Sequence, residues 1–415
     1  MYNGADDTTM RVFECHECGL HHAFSALADD FTAKCHRCGG TLLTRPPHSL
    51  DRSLALSITG LVLIAIAVTM PFMSLDIGGR VQPASLITGA ASIEERGMWG
   101  LAALVVFTTM VAPILKLGGI TYVLIGLRLP RPPRHLPFVF RCLETVQPWS
   151  MIEVYLLGVF VAYVKLAAFG SIEIGPACYA LVALLLILTT IDSVLGPEIV
   201  WERMEEYGLV RTPIAPVESD LALCEICSLV APMEAHASRC PRCGARRHFR
   251  KPDSLKRAWA LVITAAVLYF PANALPVMTI VSFGNTETDT ILSGVKALFL
   301  GGMWPLALLV FFASITVPVL KIGGLIFLLI STQVGSRWRL QDRTTLYRIV
   351  EAVGRWSMID VFMLSILAGL VHLGSLATIQ TGYGAASFAA VVVTTMFAAA
   401  AFDPRLMWDA AGENP

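Results

Sequence analysis

The heptapeptide PILKLGG at residues 113–119 returns as PVLKIGG at residues 318–324. A second pair of matching segments follows at nearly the same spacing, WSMIE at 149–153 and WSMID at 356–360. Agreement at so many uncommon residues in one register is implausible by chance, and self-similarity at a fixed period indicates an internal repeat. The chain is therefore interpreted as two copies of one module.

The composition places both copies in a membrane. Of the 415 residues, 55% are hydrophobic and only 15% are charged, and the mean hydropathy is +0.65. A soluble domain carries about a quarter charged residues, so the missing charge indicates a bilayer rather than a large water-facing surface. The formal net charge is zero, and it gives no indication of a polyanionic partner.

Eight of the ten cysteines form four CxxC pairs, two pairs ahead of each apolar region. The pairs are Cys15/Cys18, Cys35/Cys38, Cys224/Cys227 and Cys240/Cys243. Two such knuckles on short hairpins can hold one tetrahedral zinc ion with no open position, which indicates a structural role. The sequence thus predicts two zinc ribbons and two structural zinc ions per chain. A rubredoxin-like iron centre and a thiol–disulfide pair are the alternatives, although nothing nearby resembles a thioredoxin fold.

Each copy contains four apolar runs that are long enough to cross about 30 Å of hydrocarbon. The predicted spans are 53–75, 99–127, 150–170, 175–196, 258–282, 302–331, 356–376 and 381–402. Buried helices of a soluble core are the alternative, but runs of about 20 residues with only one or two charges favour membrane spans.

Arginine and lysine are distributed asymmetrically between the predicted loops. The segments 128–148, 197–257 and 333–355 are rich in them, whereas the opposite loops are poor. The positive-inside rule therefore predicts that both ribbons, the basic loops and both termini are cytoplasmic. Residues 1–50 are polar and predict no cleavable signal peptide, so we expect the first membrane helix to direct insertion.

Several polar residues lie within the predicted spans. They are Lys116, Glu153 and Asp192 in the first module and Lys321, Asp360, Thr394 and Thr395 in the second. An ionised group in the bilayer centre costs about 3 kcal/mol or more, so such residues turn inward and pair. We predict that Lys321 pairs with Asp360, beside a threonine of the fourth helix and with a contribution from Asp192. Lys116 and Glu153 would form the corresponding pair of the first module.

Two interpretations of these intramembrane charges are open at this stage. They are either a structural clamp that holds helices together or a polar relay within a transport path. The sequence contains no GxxxxGK[ST], GxSxG or HExxH motif, so it shows no ATPase or hydrolase machinery and we predict no enzyme activity. The basic residues near the ribbons lie beside spans, where lipid headgroups account for them better than a nucleic acid does.

Taken together, these motifs resemble the paraquat-inducible protein A (PqiA/LetA) family. The resemblance rests on duplicated CxxC ribbons, each preceding four spans with Pro-x-x-Lys-x-Gly-Gly and Trp-Ser-Met-Ile-(Glu/Asp), and it covers nearly the whole chain. It implies a bacterial inner-membrane protein that pairs with a periplasmic MCE-domain protein forming a tunnel toward the outer membrane. It also implies transport of lipids, in particular phospholipids, across the envelope, and tetraspanin-like four-helix modules.

The expected fold is an all-α integral membrane protein with two tandem four-helix modules, each preceded by a small cytoplasmic β zinc ribbon. The expected domains are ribbon 1 at 1–48, module 1 at 49–200, ribbon 2 at 201–252 and module 2 at 253–410. The resemblance predicts a lipid-transport subunit that passes phospholipids between the inner membrane and its MCE partner. A secondary transporter of small solutes and a zinc- or redox-sensing membrane protein are the alternatives.

Overall fold

A computed structural model gives the fold of the chain. The residues it describes are 11–24, 31–46, 49–77, 80–95, 97–167, 171–212, 221–233, 239–282, 285–371 and 377–412. Parts of both predicted ribbon domains lie outside the described residues, namely 1–10, 25–30 and 47–48 in the first and 213–220 and 234–238 in the second.

Eight helical segments of the described chain are long and apolar enough to cross a membrane, four in each copy. They are Ser49–Thr69, Trp99–Gly126, Leu136–Leu166, Pro176–Val194, Ser254–Ala274, Trp304–Gln333, Leu340–Leu370 and Tyr383–Ala401. The predicted architecture of two four-helix modules is confirmed. The third segment of each module starts well before its apolar run, because its first half is amphipathic and so escapes a search for continuous hydrophobicity.

The two modules repeat the same order of helices. Module 1 contains α1 (Ser49–Thr69), α2 (Leu86–Glu94), α3 (Trp99–Val106), α4 (Ala112–Gly126), α5 (Leu136–Val146), α6 (Ile152–Leu166), α7 (Pro176–Val194) and α8 (Pro197–Glu206). Module 2 contains α9 (Ser254–Ala274), α10 (Ile291–Leu300), α11 (Trp304–Phe311), α12 (Val317–Gln333), α13 (Leu340–Trp356), α14 (Ile359–Leu370), α15 (Tyr383–Ala401) and α16 (Arg405–Ala410).

The strands of the described chain form hairpins and small sheets. In chain order they are β1 (Arg11–Glu14), β2 (His21–Phe24), β3 (Phe31–Lys34), β4 (Thr41–Arg45), β5 (Met73–Ile77), β6 (Arg80–Ala84), β7 (Ser171–Ile174), β8 (Leu221–Leu223), β9 (Val230–Pro232), β10 (Met278–Ser282), β11 (Asn285–Asp289) and β12 (Ala377–Thr381). Ribbon 1 consists of the hairpins β1–β2 and β3–β4. Ribbon 2 consists of β8–β9 and an isolated bridge between Arg239 and Arg246.

Two three-stranded antiparallel sheets add to the architecture predicted from the sequence. Their strand orders are β6-β5-β7 and β11-β10-β12, so the equivalent strand is central in each module. In β5, Met73 and Leu75 are buried while Ser74 and Asp76 are partly exposed, which is the period of two expected for a strand with one covered face. These strands connect the spans at the end of each module opposite the ribbons.

A π-helical turn widens the second span of each module, at Phe107–Val111 and at Phe312–Thr316. Pro113 and Pro318 follow it in the first turn of α4 and α12. Because proline has no N–H to donate, the helical hydrogen-bond ladder is interrupted there, and the wider turn accommodates the interruption without ending the helix. Ser314, inside the second of these turns, is fully buried.

The modules meet through α14, whose twelve residues are all buried. Helix α14 packs on α6 of module 1 and is covered by α2, also of module 1. The crossing with α2 is close, because a Cβ built on Gly89 would lie 2.5 Å from the carbonyl oxygen of Ser365. Glycine is needed at that crossing because any side chain would meet backbone.

Each ribbon packs on the module that it does not precede. The cysteines of ribbon 1 share a hydrophobic cluster with Tyr347 of α13 and Trp408 of α16, both in module 2. The cysteines of ribbon 2 lie in the cluster that contains Phe140 of α5 and Trp201 of α8, both in module 1. The two ribbons are thus exchanged between the modules.

Candidate metal centres and intramembrane polar clusters

The cysteine knuckles are tight turns closed by backbone hydrogen bonds. In each knuckle, the residue after the second cysteine donates its N–H to the carbonyl oxygen of the first, at 2.8–2.9 Å. That residue has positive φ in all four turns: 75° at Gly19, 73° at Gly39, 71° at Gly244 and 55° at Ser228. Serine therefore adopts the left-handed conformation that glycine adopts at the other three positions, at a cost in conformational energy.

The four knuckles bring eight buried thiols into two clusters. They are Cys15, Cys18, Cys35 and Cys38 in ribbon 1 and Cys224, Cys227, Cys240 and Cys243 in ribbon 2. The Sγ atoms of opposite knuckles lie 3.4–3.6 Å apart, much longer than a disulfide bond of about 2.05 Å. Four sulfurs around a tetrahedral ion at about 2.3 Å would stand about 3.8 Å apart. Both clusters therefore have the dimensions to hold a metal ion.

The first cluster favours the thiolate form at one of its sulfurs. Hydrogen bonds from the Cys18 and Cys38 thiols lower the pKa of Cys15 to about 4, while the hydrogen bond with Cys15 raises the pKa of the Cys18 thiol above its usual value. The Nε2 atom of His22 lies 3.3 Å from the Cys35 sulfur, close enough for a ring N–H to donate to it. A thiolate is the form of cysteine that binds metal, so the cluster is prepared for a cation.

A pair of equivalent arginines attaches each ribbon to the opposite module. Arg141 of α5 donates to the carbonyl oxygen of Cys243 at 3.3 Å, and Arg348 of α13 donates to that of Cys38 at 2.9 Å. Arg348 also forms a two-pronged ion pair with Glu17 of ribbon 1. Bidentate arginine–carboxylate pairs are among the stronger polar contacts, so α13 is held firmly to ribbon 1.

A second equivalent contact repeats the exchange. The guanidinium of Arg37 in ribbon 1 stacks 4.3 Å from the ring of Trp408 in α16, and that of Arg242 in ribbon 2 lies 5.6 Å from the ring of Trp201 in α8. Arg242 is almost completely buried and pairs with Glu198 at 3.0 Å. Cation–π contacts strengthen when they are desolvated, so these arginines anchor the ribbons.

Arg405 lies where both ribbons and module 2 meet. Its buried guanidinium contacts Glu14 of ribbon 1 at 3.1 Å, Glu225 of ribbon 2 at 3.4 Å and Asp403 at 2.9 Å. Burial alone would raise the pKa of Asp403, but its hydrogen bonds with Arg405 and the positive charge of that residue lower it below the usual value. The His16 ring adds a direct contact between ribbons, 3.0 Å from the Ser228 hydroxyl.

In module 1, the intramembrane lysine pairs with an aspartate of the fourth span. The Nζ atom of Lys116 in α4 donates to Asp192 in α7 at 2.5 Å. The lysine side chain is 6% exposed and that of Asp192 is 43% exposed. Glu153 lies in the first turn of α6. The pair is therefore open on one side, where Asp192 can be hydrated.

In module 2, the corresponding lysine has a hydroxyl as its partner, and no carboxylate of the described residues pairs with it. The Nζ atom of Lys321 in α12 donates to the Thr395 hydroxyl in α15 at 2.8 Å, and both residues are buried. Thr394 faces its own helix instead, donating to the carbonyl oxygen of Ala390 at 2.6 Å. A buried ammonium needs hydrogen-bond acceptors around it, and among the described residues Thr395 provides one.

Asp360 forms a separate cluster at the junction of the two modules. It is 5% exposed, and Ser314 of the π-helical turn donates to its Oδ2 atom. Its Oδ1 atom has no hydrogen-bond partner in the described chain. Lys165, at the far end of α6 in module 1, lies within electrostatic range of Asp360. The carboxyl group of module 2 thus has its cationic neighbour in module 1.

Comparison with known proteins places this arrangement in a family. The family model described as "Paraquat-inducible protein A" matches residues 50–205 and 255–412. The chain belongs to the paraquat-inducible protein A family. The two matched segments coincide with the two modules and stop short of both cysteine clusters, so the family model identifies the duplicated membrane unit.

Three curated relatives match along almost their full lengths. "Intermembrane transport protein PqiA" of Escherichia coli (strain K12) is 32% identical over 408 residues, 96% of each chain. "Lipophilic envelope-spanning tunnel protein A" of the same strain is 31% identical over 396 residues, 95% of this chain and 91% of that protein. "Probable intermembrane transport protein" of Haemophilus influenzae is 28% identical over 406 residues, 96% of each. No solved structure matches the chain.

The structure differs from the predicted charge pairs in both modules of this family member. Lys321 does not meet Asp360, because Asp360 contacts Ser314 about two helical turns, or about 10 Å, ahead of Lys321 in the same span. Lys116 pairs with Asp192 of its own module. Asp192 therefore pairs within module 1, and the prediction that it contributes to the polar pair of module 2 is wrong.

Two residues of the Asp360 cluster were missed by the sequence analysis. Ser314 belongs to no recognisable motif. It contacts Asp360 because the π-helical turn and the start of α14 lie at the same level in the folded protein, which the sequence does not show. Lys165 stands at the end of a span, which from sequence alone predicts a side chain that extends to the interface. The signal available was Lys165 itself, a charge in a run that otherwise carries only Glu153.

Proposed function

We propose that this protein is the inner-membrane subunit of an MCE-type lipid transport system. It would pass phospholipids between the inner membrane and a periplasmic MCE tunnel and so support envelope integrity. The names of the relatives, "intermembrane transport protein" and "envelope-spanning tunnel protein", support a transport role. They also fit a protein that is not an enzyme, and the eight apolar helices fit a multi-pass membrane protein.

The observation that carries the proposal is the Asp360 cluster. A carboxyl group with one unpaired oxygen is buried between two modules, and its cationic neighbour Lys165 belongs to the other module. A relative movement of the modules would separate Lys165 from Asp360, so the charge state of the carboxyl can be linked to the conformation. Lys321 and Thr395 line the same module nearer the ribbons. A clamp that only holds helices together is most stable when every buried charge has an opposite charge as its partner. Asp360 and Lys321 lack such complete pairing among the described residues, so they suit a relay better than a clamp.

The test uses Asp360→Asn and Lys321→Ala in the full-length protein, with Lys116→Ala as the matched control. We expect the first two changes to abolish lipid transfer between donor and acceptor vesicles while protein level and metal content persist. The control should have a weaker effect, since Asp192 is partly exposed and can be hydrated. Normal transfer by both module 2 variants would refute the relay. Loss of protein level before loss of transfer would indicate a clamp.

We also propose that the ribbons and both termini are cytoplasmic and that a periplasmic MCE protein is the partner. The basic segments on the ribbon side support this orientation. Reporter fusions test it: a reporter active only in the periplasm should be silent at residue 412 and active within 285–289. Affinity purification tests the partner, and recovery of the protein without an MCE oligomer from native membranes would contradict it.

Zinc is the proposed occupant of both cysteine clusters. Four buried thiols at tetrahedral spacing form a closed structural site with no position for substrate. Elemental analysis should find two zinc ions per chain, and one after the double change Cys15→Ser and Cys18→Ser. Iron in place of zinc would identify a rubredoxin-like centre, and absence of metal from freshly reduced protein would refute the proposal.

Secondary transport of a small solute is the second candidate, because the buried acid of Asp360 could equally bind a transported proton. Proton-coupled solute uptake by the isolated protein, without lipid movement, would favour it. A sensing role would instead predict that metal removal alters a signal while transport continues.

A further inference from the structure

Two cavities of about 530 Å³ each open on the ribbon side of the molecule, one at each module. The arginines that line the module 1 cavity are Arg45, Arg128 and Arg203. Those that line the module 2 cavity are Arg37, Arg337 and Arg339, together with His36 and Trp408. Each contains three arginines, but their electrostatic environments differ.

In the module 1 cavity every arginine is neutralised by a carboxylate. Arg45 pairs with Glu202, Arg128 with Asp51, and Arg203 with Glu206 at 2.6 Å. No excess cation therefore remains to attract an anion. This cavity serves as an internal reference of equal volume.

The module 2 cavity keeps positive charge in excess. Among the described residues, Asp342 is its one lining carboxylate, and it pairs with Arg339 at 3.2 Å across an exposed surface. Within the described chain, Arg337 forms neither a hydrogen bond nor an ion pair. Arg337 therefore adds an uncompensated guanidinium beside the Arg339–Asp342 pair, with the His36 ring in the same lining. A concave surface with such an excess concentrates anions.

The cavity lies at the level where lipid headgroups meet the protein. The second span of module 2 ends at Gln333, only a few residues ahead of Arg337. Trp338 is 64% exposed, and the Arg339 guanidinium lies 5.6 Å from its ring. Exposed tryptophan at a span end is typical of the interface. The N-terminus of α13 adds backbone N–H groups on the same side, which favour negative charge.

We propose that the module 2 cavity binds a phosphate ester, supplied by the headgroup of an anionic phospholipid in the ribbon-side leaflet. Arg337 and Arg339 contact the phosphate, and Arg37, brought by the exchanged ribbon 1, closes the site opposite them. Guanidinium groups suit this ligand because they bind phosphate oxygens in a bidentate manner. The site is separate from the Asp360 cluster and does not depend on the transport proposal.

The experiment uses full-length protein, delipidated in a non-ionic detergent and titrated with phosphatidylglycerol, phosphatidylcholine or glycerol phosphate. Native mass spectrometry measures the bound fraction. We expect phosphatidylglycerol to bind more tightly than phosphatidylcholine. The double change Arg337→Gln and Arg339→Gln should weaken phosphatidylglycerol about tenfold, or about 1.4 kcal/mol. Arg337→Lys, which keeps the charge but loses the bidentate geometry, should give an affinity between those of the wild type and the double variant.

The control is Arg128→Gln with Arg203→Gln in the module 1 cavity, and it should leave phosphatidylglycerol binding within about twofold of the wild type. Competition by glycerol phosphate at comparable concentration would support the phosphate site and assign it to a soluble ester. Equal binding by the wild type and the Arg337/Arg339 variant would overturn the proposal. An equal loss in the control variant, or indifference between the two lipids together with no glycerol phosphate binding, would overturn it as well.

Discussion

At the scale of single residues, burial determines how much an ion pair contributes to the stability of the fold. The Arg242 side chain is 3% exposed where it pairs with Glu198, whereas Arg203 and Glu206 are about half exposed. Breaking a buried pair costs about 3–5 kcal/mol, since a charge stays desolvated, and an exposed pair contributes under about 1 kcal/mol. We therefore expect Arg242→Ala to lower the melting temperature strongly and Arg203→Ala to leave it nearly unchanged. Equal shifts in a thermal melt would contradict this.

The thiol clusters predict a pH dependence of metal retention. Metal binds the thiolate form of cysteine, so protons compete with the ion for the sulfurs and metal affinity falls as the pH falls. The hydrogen bond that lowers the pKa of Cys15 raises the pKa of Cys18, so this competition belongs to the cluster as a whole. Metal retained after dialysis against a chelator should therefore decrease from pH 8 to pH 5. A flat profile would count against thiolate ligation.

At the scale of elements, equivalent helices of the two modules have different partners. Helix α2 crosses α14 at Gly89, where a Cβ would lie 2.5 Å from backbone, whereas Gly294 at the same position of α10 has nothing within 4 Å. We expect Gly89→Ala to destabilise the protein by about 1–3 kcal/mol through overpacking. Gly294→Ala should be neutral or stabilising by up to about 1 kcal/mol, because alanine favours helix. Thermal melting of both variants checks this, and the reverse order would refute the α2–α14 crossing.

The contrast between α2 and α10 shows that equivalent helices of the two modules no longer make the same contacts. Helix α2 covers the junction between the modules, while α10 packs on α11 and β11 of its own module and exposes Leu292, Phe299 and Leu300. The same difference appears in the charges, since Lys116 has a carboxylate partner and Lys321 has a hydroxyl. Module 2 therefore carries the less completely paired interior, which is the reason that the proposed relay is placed there.

At the scale of the whole molecule, the exchange of ribbons makes each four-cysteine cluster a bridge between modules. Loss of metal from ribbon 1, by Cys15→Ser with Cys18→Ser, should loosen α13, which ribbon 1 contacts, rather than α5. Loss from ribbon 2, by Cys224→Ser with Cys227→Ser, should do the reverse. Zinc binding supplies folding energy to such small units, so the unloaded ribbon releases its helices.

Hydrogen exchange measured by mass spectrometry distinguishes the two variants, since amide exchange reports local opening. We expect faster exchange in 340–356 for the first variant and in 136–146 for the second. Each variant is the control of the other. Faster exchange confined to the module that the ribbon precedes in sequence would contradict the exchanged arrangement.

Much of the fold could be predicted from the sequence because its signals are local. Apolar runs of bilayer length, CxxC spacing and the repeat from PILKLGG to PVLKIGG are read without knowing any contact. They predict eight spans and two four-thiol clusters, since a span's hydrophobicity and a knuckle's reach depend only on neighbouring residues. Helices α5 and α13 were not predicted, because one face of each carries charged side chains that interrupt the apolar run. In the structure an arginine of each helix finds its partner in a ribbon.

The partners of each side chain were decided only by the tertiary structure. Sequence distance could not reveal that Arg348 holds ribbon 1. It also could not reveal that Asp360 accepts a hydrogen bond from Ser314, with Lys165 in electrostatic range, instead of meeting Lys321. Each residue advances about 1.5 Å along a helix axis, so Ser314 and Lys321, two turns apart in one span, lie about 10 Å apart in depth. Asp360 lies at the depth of Ser314, and the predicted pair with Lys321 therefore does not form. Packing of two modules around α14 set those depths, and it also brought each ribbon to the module that it does not precede.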